Sequence, residues 1–229
     1  MKKVVILSGA GMSAESGLKT FRDSNGLWEG HDVMEVASID GWQRNPEVVL
    51  EFYNQRRKQL LSVEPNQGHH ALVELARHYH VTVVTQNVDD LHERAGSDQV
   101  IHLHGELLKA CSCNNKEDVI DWRGDIRLGD TCSNGHQLRP FIVWFGELVP
   151  MLDRAAGCVS EADIVIIVGT SMQVYPAASL INYARPSAEL YYLDANPATS
   201  TELAHLTNLD IRKTTAAIGL PKLVKELVS

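Results

Sequence analysis

Apolar and polar positions follow one another along the chain in short blocks that are typical of strands and helices in alternation. Short runs rich in Val, Ile and Leu predict five buried strands, at residues 4–7, 81–85, 100–103, 164–168 and 190–193. The stretches 69–78 and 177–183 between them carry helical spacing. Strands that are apolar on both faces and alternate with helices belong to parallel sheets covered on both sides. The pattern therefore predicts an α/β fold with a Rossmann-like, doubly wound parallel sheet.

Two stretches break this alternation. Residues 29–65 are typical of helices with a loop, and residues 106–150 are irregular and polar. We expect one domain, 1–229, in which these two insertions form a smaller second lobe. The large lobe would then comprise about 1–28, 66–105 and 151–229. A cleft between two lobes is a common place for a substrate.

The composition narrows the class of protein without defining a function. The 229 residues are 44% hydrophobic and 22% charged, as in a soluble globular protein with a proper core. A formal net charge of -8 argues against a nucleic-acid partner, although it would attract lysine-rich protein segments. The apolar run at residues 4–7 is too short for a secretion signal or a membrane span, and the four cysteines show no secreted disulfide pattern. We therefore expect a cytoplasmic protein without a membrane partner.

A polar or glycine-rich cluster directly follows every predicted strand. The clusters lie at residues 8–11, 86–89, 104–105, 169–171 and 194–197. In a doubly wound sheet, ligands bind beyond the carboxyl ends of the strands. We therefore expect all five clusters to meet at one edge of the sheet, and this shared placement is stronger evidence for a site than any single motif.

The first cluster begins a glycine-rich turn, Gly9-x-Gly11-x-x-Ala14, which fits a dinucleotide-binding fingerprint between a strand and a helix. Its glycines would allow a tight turn and a close approach to a pyrophosphate, with helix N–H groups as donors. Glycine turns also close strands for purely structural reasons. The acidic residue that binds the ribose in dehydrogenases, about twenty positions on, is missing, because residues 18–28 form a polar stretch with aromatic residues. This departure favours an enzyme that consumes NAD over one that transfers a hydride.

Five runs, in this order, resemble the signatures of the sirtuin family. They are Gly-Ala-Gly-Met-Ser-Ala-Glu-Ser-Gly at 9–17 with Phe21-Arg22, Gln-Asn-Val-Asp at 86–89, His-Leu-His-Gly at 102–105, Arg-Pro at 139–140 with Val-Trp-Phe-Gly-Glu at 143–147, and Gly-Thr-Ser at 169–171. The runs span nearly the whole chain, and together they are highly specific. The resemblance implies NAD-dependent removal of acyl groups from protein lysine, with nicotinamide, O-acyl-ADP-ribose and free lysine as products.

The resemblance also implies which residues bind NAD, the co-substrate that is consumed. The dinucleotide-binding residues would be Gly9, Ala10, Gly11, Ser13, Glu15, Phe21, Arg22, Gln86, Asn87, Asp89, Gly169, Thr170, Ser171, Asn196 and Ala216. Among them, Arg22 would lie near phosphate and ribose, and Phe21 would cover the ribose face that nicotinamide leaves. Asn87 and Asp89 would line the nicotinamide pocket, and the last two residues of the set would lie towards the adenosine end.

His104 is the candidate catalytic base, with Asn87 as a second catalytic residue. In the implied reaction, the acyl carbonyl oxygen attacks the ribose carbon that nicotinamide leaves, and a base then takes a proton from a ribose hydroxyl. An imidazole with an ordinary pKa of about 6.5 suits that task at neutral pH. The alternative is a strand-end histidine that only makes a hydrogen bond. We expect His102 to point to the opposite side of the strand and to have a structural role.

The same resemblance implies where the substrate binds. Residues 143–147 resemble the family's peptide-binding strand, and residues 174–176 would face it across the cleft. An extended acyl-lysine peptide or protein segment would pair with this backbone between the lobes. The expected substrate-binding residues there are Val143, Phe145, Gly146, Glu147, Val174 and Tyr175.

Tyr53 and Arg56 occur three positions apart on a predicted helix and therefore share one face. A phenol and a guanidinium on one face can bind a carboxylate. The pair is similar to the Tyr-x-x-Arg pair of the sirtuin class that removes acidic acyl groups such as succinyl, malonyl and glutaryl. We therefore expect a preference for acidic acyl groups, over or alongside acetyl. The alternative is a Tyr53 packed in the core, with Arg56 and Arg57 on a solvated face.

Sirtuins usually carry four zinc-binding cysteines as two Cys-x-x-Cys pairs, and this chain departs from that pattern. The weak candidate ligands are Cys111, Cys113, Cys132 and His136. Four ligands are enough for a tetrahedral zinc site. However, only one residue separates Cys111 from Cys113, which strains their binding to the same ion, and the second pair offers only one cysteine. We expect that the zinc has been lost and that residues 118–129 form a packed loop instead.

Two other functions are compatible with these motifs. The same ribose chemistry would serve an NAD hydrolase or an ADP-ribosyl transferase, because the sequence does not show which nucleophile arrives. The third hypothesis is a non-catalytic protein that binds NAD or ADP-ribose, and the intact His104, Asn87 and Asp89 disfavour it. Nicotinamide release that requires an acyl-lysine peptide would separate the first function from both alternatives.

Overall fold

A computed structural model describes residues 1–19, 27–198 and 200–229 of the chain. Its strands are β1 (Lys3–Ser8), β2 (Leu27–Trp28), β3 (His31–Asp32), β4 (His80–Thr85), β5 (Val100–His102), β6 (Gly105–Ser112), β7 (Val119–Asp121), β8 (Leu138–Ile142), β9 (Ile164–Val168), β10 (Glu189–Asp194) and β11 (Leu209–Lys213). Its α-helices are α1 (Val33–Val36), α2 (Ile39–Arg44), α3 (Pro46–Leu61), α4 (Gln67–Leu75), α5 (Leu91–Ala95), α6 (Leu152–Glu161) and α7 (Ala216–Val228).

The central sheet has six parallel strands in the order β11-β10-β9-β1-β4-β5. From β1, the chain first adds β4 and β5 on one side and later places β9, β10 and β11 on the other. The strand order therefore reverses between β1 and β9, and a doubly wound sheet binds its ligand at such a switch point. This topology confirms the predicted fold class and all five predicted strands.

Alternating residues of the central strands pack against helices on the two faces of the sheet. Val5 and Leu7 pack with Val159 of α6, while Val4 and Ile6 pack with Leu72 of α4 and with α7. Every one of these side chains is at most 3% exposed. Successive side chains of a strand point to opposite faces of the sheet. A parallel sheet that is covered by helices on both faces therefore needs apolar residues at successive positions.

The smaller lobe combines helices α1, α2 and α3 with an antiparallel sheet in the order β7-β6-β8. Helix α3 begins at Pro46, and the preceding Asn45 side chain accepts a hydrogen bond from the Val48 amide. Asn as a cap and Pro at the first helical position both favour a helix start. The apolar face of α3 packs on β6, β8 and Trp144, so that the helix closes one wall of the space between the lobes.

Three local features differ from the sequence expectations. The glycine turn after β1 continues into two 3-10 turns, Ala10–Met12 and Ala14–Ser16, rather than into the expected α-helix. The helical stretch Ala177–Tyr183 is a 3-10 helix. Edge strand β11 was not predicted, because its residues are mostly half-buried or exposed and form no apolar run. None of the described helices is long and apolar enough to cross a membrane.

Candidate active site

One cleft of about 660 Å³ lies at the carboxyl ends of the central strands and extends to the smaller lobe. All five polar clusters that follow the predicted strands contribute to its wall. The sequence-predicted residues on the wall are Gly9, Ala10, Gly11, Ser13, Glu15, Tyr53, Gln86, Asn87, Asp89, His104, Val143, Phe145, Gly146, Glu147, Gly169, Thr170, Ser171, Val174, Tyr175 and Asn196. The expectation that these segments converge at one edge of the sheet is confirmed.

Two predicted residues that the structure describes, Arg56 and Ala216, do not lie on this wall. Phe21 and Arg22 lie outside the described residues. Ala216 is 2% exposed and packs in the core, whereas its neighbour Thr215 lines the cleft. Arg56 lies one helical turn beyond Tyr53 and is half-buried.

Several wall residues had no sequence signal, among them Leu18, Lys19, Trp28 and Gln173. Each belongs to a loop or to the two-residue strand β2, and none lies at the end of a strand of the central sheet. Loop residues reach a site through the path of the backbone, which hydrophobic periodicity does not report.

The glycines of the first turn allow two loops to touch each other. A Cβ on Gly11 would stand 2.7 Å from the Gly169 Cα, and a Cβ on Gly9 would stand 2.6 Å from the Thr170 Cβ. The Gly11 amide donates to the Gly169 carbonyl at 2.8 Å. The glycines thus join the loops that follow β1 and β9 at the switch point, a contact that the expected tight turn and close approach to a pyrophosphate did not include.

His104 is held with one ring nitrogen fixed and the other free for chemistry. Its Nδ1 lies 3.1 Å from the backbone carbonyl oxygen of Gln86. A carbonyl can only accept, so Nδ1 carries the proton, and the Nε2 of the neutral ring keeps its lone pair. Burial lowers the pKa of His104, which the hydrogen bond to Gln86 partly offsets. The ring is therefore neutral, as a general base must be, at neutral pH.

Asn87, Ser13 and Asp89 form a buried hydrogen-bonded cluster beside His104. The Asn87 side-chain amide donates to the Ser13 hydroxyl at 3.2 Å, and that hydroxyl donates to Asp89 at 2.9 Å. The second Asp89 oxygen accepts from the Leu91 amide. Burial raises the pKa of Asp89 to about 6, although these hydrogen bonds oppose the shift. The cluster fixes an amide and a carboxylate at the cleft wall.

His102 ends β5, and residues 103 and 104 lie beyond that strand, so alternation along a strand does not decide where the two rings point. Of these two histidines, His104 lines the cleft and His102 does not. The two rings contact consecutive carbonyl groups of the same neighbouring segment, His102 at Asn87 and His104 at Gln86.

Tyr53 is fully buried, and its hydroxyl accepts a hydrogen bond from the Trp144 indole N–H at 3.0 Å. Tyr53 also belongs to the cleft wall, and the bond from Trp144 does not use the hydrogen of its hydroxyl. The Arg56 guanidinium carbon lies 5.0 Å from the centre of the Phe52 ring. Its Nε and Nη1 are buried and have no hydrogen-bond acceptor among the described residues. Burial lowers the pKa of Arg56, while Glu29 partly opposes that shift.

The segment after β8 is anchored by a buried ion pair. The side chains of Arg139 and Glu147 are 4% and 3% exposed, and they meet at 2.8 Å. Glu147 also accepts from the Trp144 amide at 2.8 Å and pairs with Lys116. The Glu147 carboxylate is therefore occupied within the protein, although the residue belongs to the cleft wall.

The four weak candidates for zinc ligands, Cys111, Cys113, Cys132 and His136, are not gathered into a potential metal site among the described residues. No group of three potential ligands comes together among the described residues. Cys111 is 1% exposed within β6, and the His136 ring contacts the Asn114 side chain. In the loop 118–129, Ile126 is fully buried, although Ile120 is 40% exposed. The lobe core therefore includes part of this loop.

The model of the Sir2 family matches residues 9–176 of the chain. The chain belongs to the Sir2 family. An "NAD-dependent protein deacylase" of Helicobacter pylori (strain ATCC 700392 / 26695) is 60% identical over 194 residues, which are 85% of each protein. A protein of the same name from Vibrio cholerae serotype O1 is 45% identical over 237 residues, covering 100% of this chain and 94% of the relative.

Solved Sir2 structures have the same fold along the whole chain. A Sir2 homologue in complex with NAD has a TM-score of 0.88 and 36% identity, and the match covers 99% of this chain and 90% of that one. A Sir2 variant in complex with a p53 peptide and NAD has a TM-score of 0.81 and 29% identity, with 99% and 94% covered.

Proposed function

We propose that this Sir2-family chain is an NAD-dependent protein-lysine deacylase that favours acidic acyl groups, over or alongside acetyl. One observation carries the proposal. A single cleft presents the unprotonated Nε2 of His104 beside the Asn87–Ser13–Asp89 cluster, and Tyr53 belongs to its wall. Relatives that match most of the chain are named NAD-dependent protein deacylases.

NAD would lie along the loops that follow β1 and β9. The joined glycine loops and the neighbouring Thr170 and Ser171 offer backbone N–H groups and hydroxyls at the switch point, which suit phosphate and ribose. The amide of nicotinamide is matched by the Asn87 amide and the Asp89 carboxylate. The NAD complex of a Sir2 homologue with the same fold supports this placement.

The chemistry that His104 supports is the removal of one proton. As the acyl carbonyl oxygen forms a bond to the ribose carbon, the bond to nicotinamide breaks and its electrons leave with nicotinamide. A ribose hydroxyl then attacks the acyl carbon, and its proton passes to the free Nε2 of His104. Water releases lysine and leaves O-acyl-ADP-ribose. A neutral imidazole whose tautomer is fixed by Gln86 is suited to this step.

An acyl-lysine peptide would enter beside Gly146. The Phe145 amide and carbonyl are already bonded to Ala37 and Ile39 of the smaller lobe. Gly146 is exposed, and neither its N–H nor its C=O bonds to backbone of the described residues. An extended peptide that adds to this segment would find these two groups unpaired.

The acyl preference depends on Tyr53 and Arg56. The Tyr53 hydroxyl has a hydrogen to donate, and Arg56 holds buried N–H groups that lack an acceptor among the described residues. Leaving charged donors without partners is unfavourable, and a bound carboxylate would remove that penalty. An acetyl group has no carboxylate, so the buried N–H groups of Arg56 would still lack an acceptor among the described residues.

The test compares succinyl- and acetyl-lysine peptides of one sequence. Arg56→Met should lower kcat/KM for the succinyl peptide by about 10- to 100-fold, the value of one or two charge-assisted hydrogen bonds, and leave the acetyl peptide unchanged or improved. Lys58→Met, an exposed cation on the same helix, is the matched control and should change neither substrate. Equal losses on both peptides in Arg56→Met would refute the carboxylate role.

A second measurement separates deacylation from hydrolysis of NAD alone. Nicotinamide release should require the acyl peptide and match the lysine set free. Release without peptide would instead support an NAD hydrolase or an ADP-ribosyl transferase, and absence of release with any peptide would support a binding protein.

A further inference from the structure

His102 occupies a position that the reaction as described does not use. Its side chain is 8% exposed, and it makes two hydrogen bonds. Nδ1 lies 3.0 Å from the backbone carbonyl oxygen of Asn87, and Nε2 lies 2.7 Å from Glu93 Oε1. Both partners are acceptors at neutral pH, so both ring nitrogens must donate. The ring is therefore an imidazolium, and the shorter bond has the length of a charge-assisted pair.

The surroundings of His102 support this charge. Burial by itself would lower the pKa of His102, but the hydrogen bond and charge of Glu93 raise it above its ordinary value. The titratable groups that face the ring are Glu93 and His92 on α5, Glu106 on β6, and Asp89. Three of these four are carboxyls, which favour the charged ring.

The two histidines hold one segment and do so in different protonation states. His104 donates to the Gln86 carbonyl and keeps a free Nε2, whereas His102 donates to the next carbonyl and is charged. Asn87 is held at two further points, by its amide to Thr85 and by its side chain to Ser13. The carbonyl bond from His102 therefore completes the orientation of the Asn87 side chain in the cleft.

The charge matters because a neutral ring would not keep both bonds. If one proton were lost, the proton that remained on Nε2 would serve Glu93, and Nδ1 would turn a lone pair towards the Asn87 carbonyl oxygen. Two facing lone pairs repel, so the segment would shift. Glu93 sets which state is present.

We propose that His102, held as an imidazolium by Glu93, is a positioning residue that orients Asn87 for the departure and rebinding of nicotinamide. The role of Asn87 towards nicotinamide rests on the proposed function. The charge state of His102 does not rest on it, so the two can fail separately.

The first measurement is independent of activity. In protein labelled with ¹⁵N at histidine, both ring nitrogens of His102 should show imidazolium shifts at pH 7.5, with the signal assigned by its loss in His102→Asn. Glu93→Gln should move the titration of His102 to lower pH. A neutral His102 at pH 7.5 in the unaltered protein would overturn the proposal, whatever the enzyme activity.

The second measurement uses kinetics with NAD and an acyl peptide. His102→Gln, whose longer amide reaches towards Glu93, should lose about tenfold in kcat/KM for NAD, equivalent to about 1.4 kcal/mol, and should be inhibited less by nicotinamide. His102→Asn places its amide near the position of Nδ1 and should recover most of this loss. His80→Asn, an exposed histidine at the start of β4, is the matched control and should behave like the unaltered protein.

A pH profile separates positioning from simple destabilisation. In His102→Gln, which has no ring to titrate, the loss in kcat/KM for NAD relative to the unaltered protein should be full while the His102 ring is charged and should shrink as rising pH removes the proton of that ring, whose pKa is raised by Glu93. Equal losses in His102→Gln and His102→Asn, or a loss in His102→Gln that does not change with pH, would contradict the proposal. An inactive unaltered protein with a doubly protonated His102 would instead refute the proposed function alone.

Discussion

Replacing Glu147 by Gln tests whether the buried ion pair fastens the substrate-facing segment to the smaller lobe. The change keeps the size of the side chain and one acceptor oxygen but removes the charge opposite Arg139. Both side chains are at most 4% exposed, so water cannot replace the lost partner. The guanidinium keeps the Ile142 carbonyl at 2.8 Å and the Trp144 ring at 3.4 Å. Lys116, which is 41% exposed, can turn to solvent.

The expected cost follows from these contacts. Breaking a buried pair by removing one partner typically costs about 3–5 kcal/mol, and the retained contacts of Arg139 place Glu147→Gln near the lower value, about 3 kcal/mol. For a chain of 229 residues, this corresponds to a fall in Tm of about 6–12 °C. Urea unfolding followed by circular dichroism measures the free energy of unfolding, and a thermal scan measures Tm.

The pH dependence of this difference provides an internal check. Burial alone would raise the pKa of Glu147, but the hydrogen bonds and charge of Arg139 lower it below the ordinary value of 4.5. A carboxyl with a lowered pKa contributes stability above its unfolded pKa and loses it as pH falls. The difference between the two proteins should therefore shrink below about pH 4.5.

Glu161→Gln is the matched control, since Glu161 pairs with Lys3 at the surface and is 65% exposed. It should leave Tm almost unchanged because exposed pairs contribute little. If Glu147→Gln and Glu161→Gln lowered Tm by the same small amount, the reasoning about the buried pair would be refuted.

Three further changes address stability, the base and the glycine loops. Burial lowers the pKa of His69 to about 4, so at pH 5 the unfolded chain binds a proton that the folded chain does not. The free energy of unfolding should therefore decrease as the pH is lowered from 7 to 5. His69→Gln keeps a hydrogen-bonding side chain at this position of the α4 capping box. In urea unfolding, this variant should lose about 2 kcal/mol less of its free energy of unfolding between pH 7 and pH 5 than the unaltered protein does. An equal loss in the two proteins would show that His69 is not responsible. Because burial lowers the pKa of His104, the acid limb of the kcat/KM profile should have its midpoint below pH 6.5, and a midpoint above 7 would exclude His104 as the base. Gly11→Ala should weaken ADP-ribose binding in calorimetry and lower the free energy of unfolding by about 1–3 kcal/mol, because the added Cβ would meet the Gly169 backbone. The matched control is Gly157→Ala in α6, whose added Cβ has nothing within 4 Å, and this variant should be neutral or stabilising. Similar effects of the two variants would contradict the close-approach argument.

The central sheet was predictable from the sequence because its strands are buried on both faces. Residues 4–7 and 164–168 are uninterrupted apolar runs, and such runs have few other uses in a soluble protein. Edge strand β11 was not predictable, since three of its five residues are exposed, none is buried, and it carries no apolar pattern. The two 3-10 turns after β1 were expected as an α-helix, because helical spacing does not distinguish the two over three residues.

The candidate site was predictable as a set of segments and not as a set of contacts. Strand ends place the clusters at one edge of the sheet, which is a property of topology. The partners of Glu147 and Tyr53 depend on side chains 8 and 91 positions away, and no local pattern reports such distances. The relative placement of His102 and His104 was also beyond a local rule, because β5 ends at His102 and the alternation of a strand does not continue to residue 104.

The most direct test of the central claim is a product balance with one succinyl-lysine peptide and NAD. Nicotinamide, free lysine peptide and O-succinyl-ADP-ribose should form in equal amounts, and none should form when the peptide carries unmodified lysine. His104→Ala should abolish all three while it still binds ADP-ribose. Nicotinamide release at the same rate with the modified and the unmodified peptide would contradict the account, because the acyl group would then not be the nucleophile.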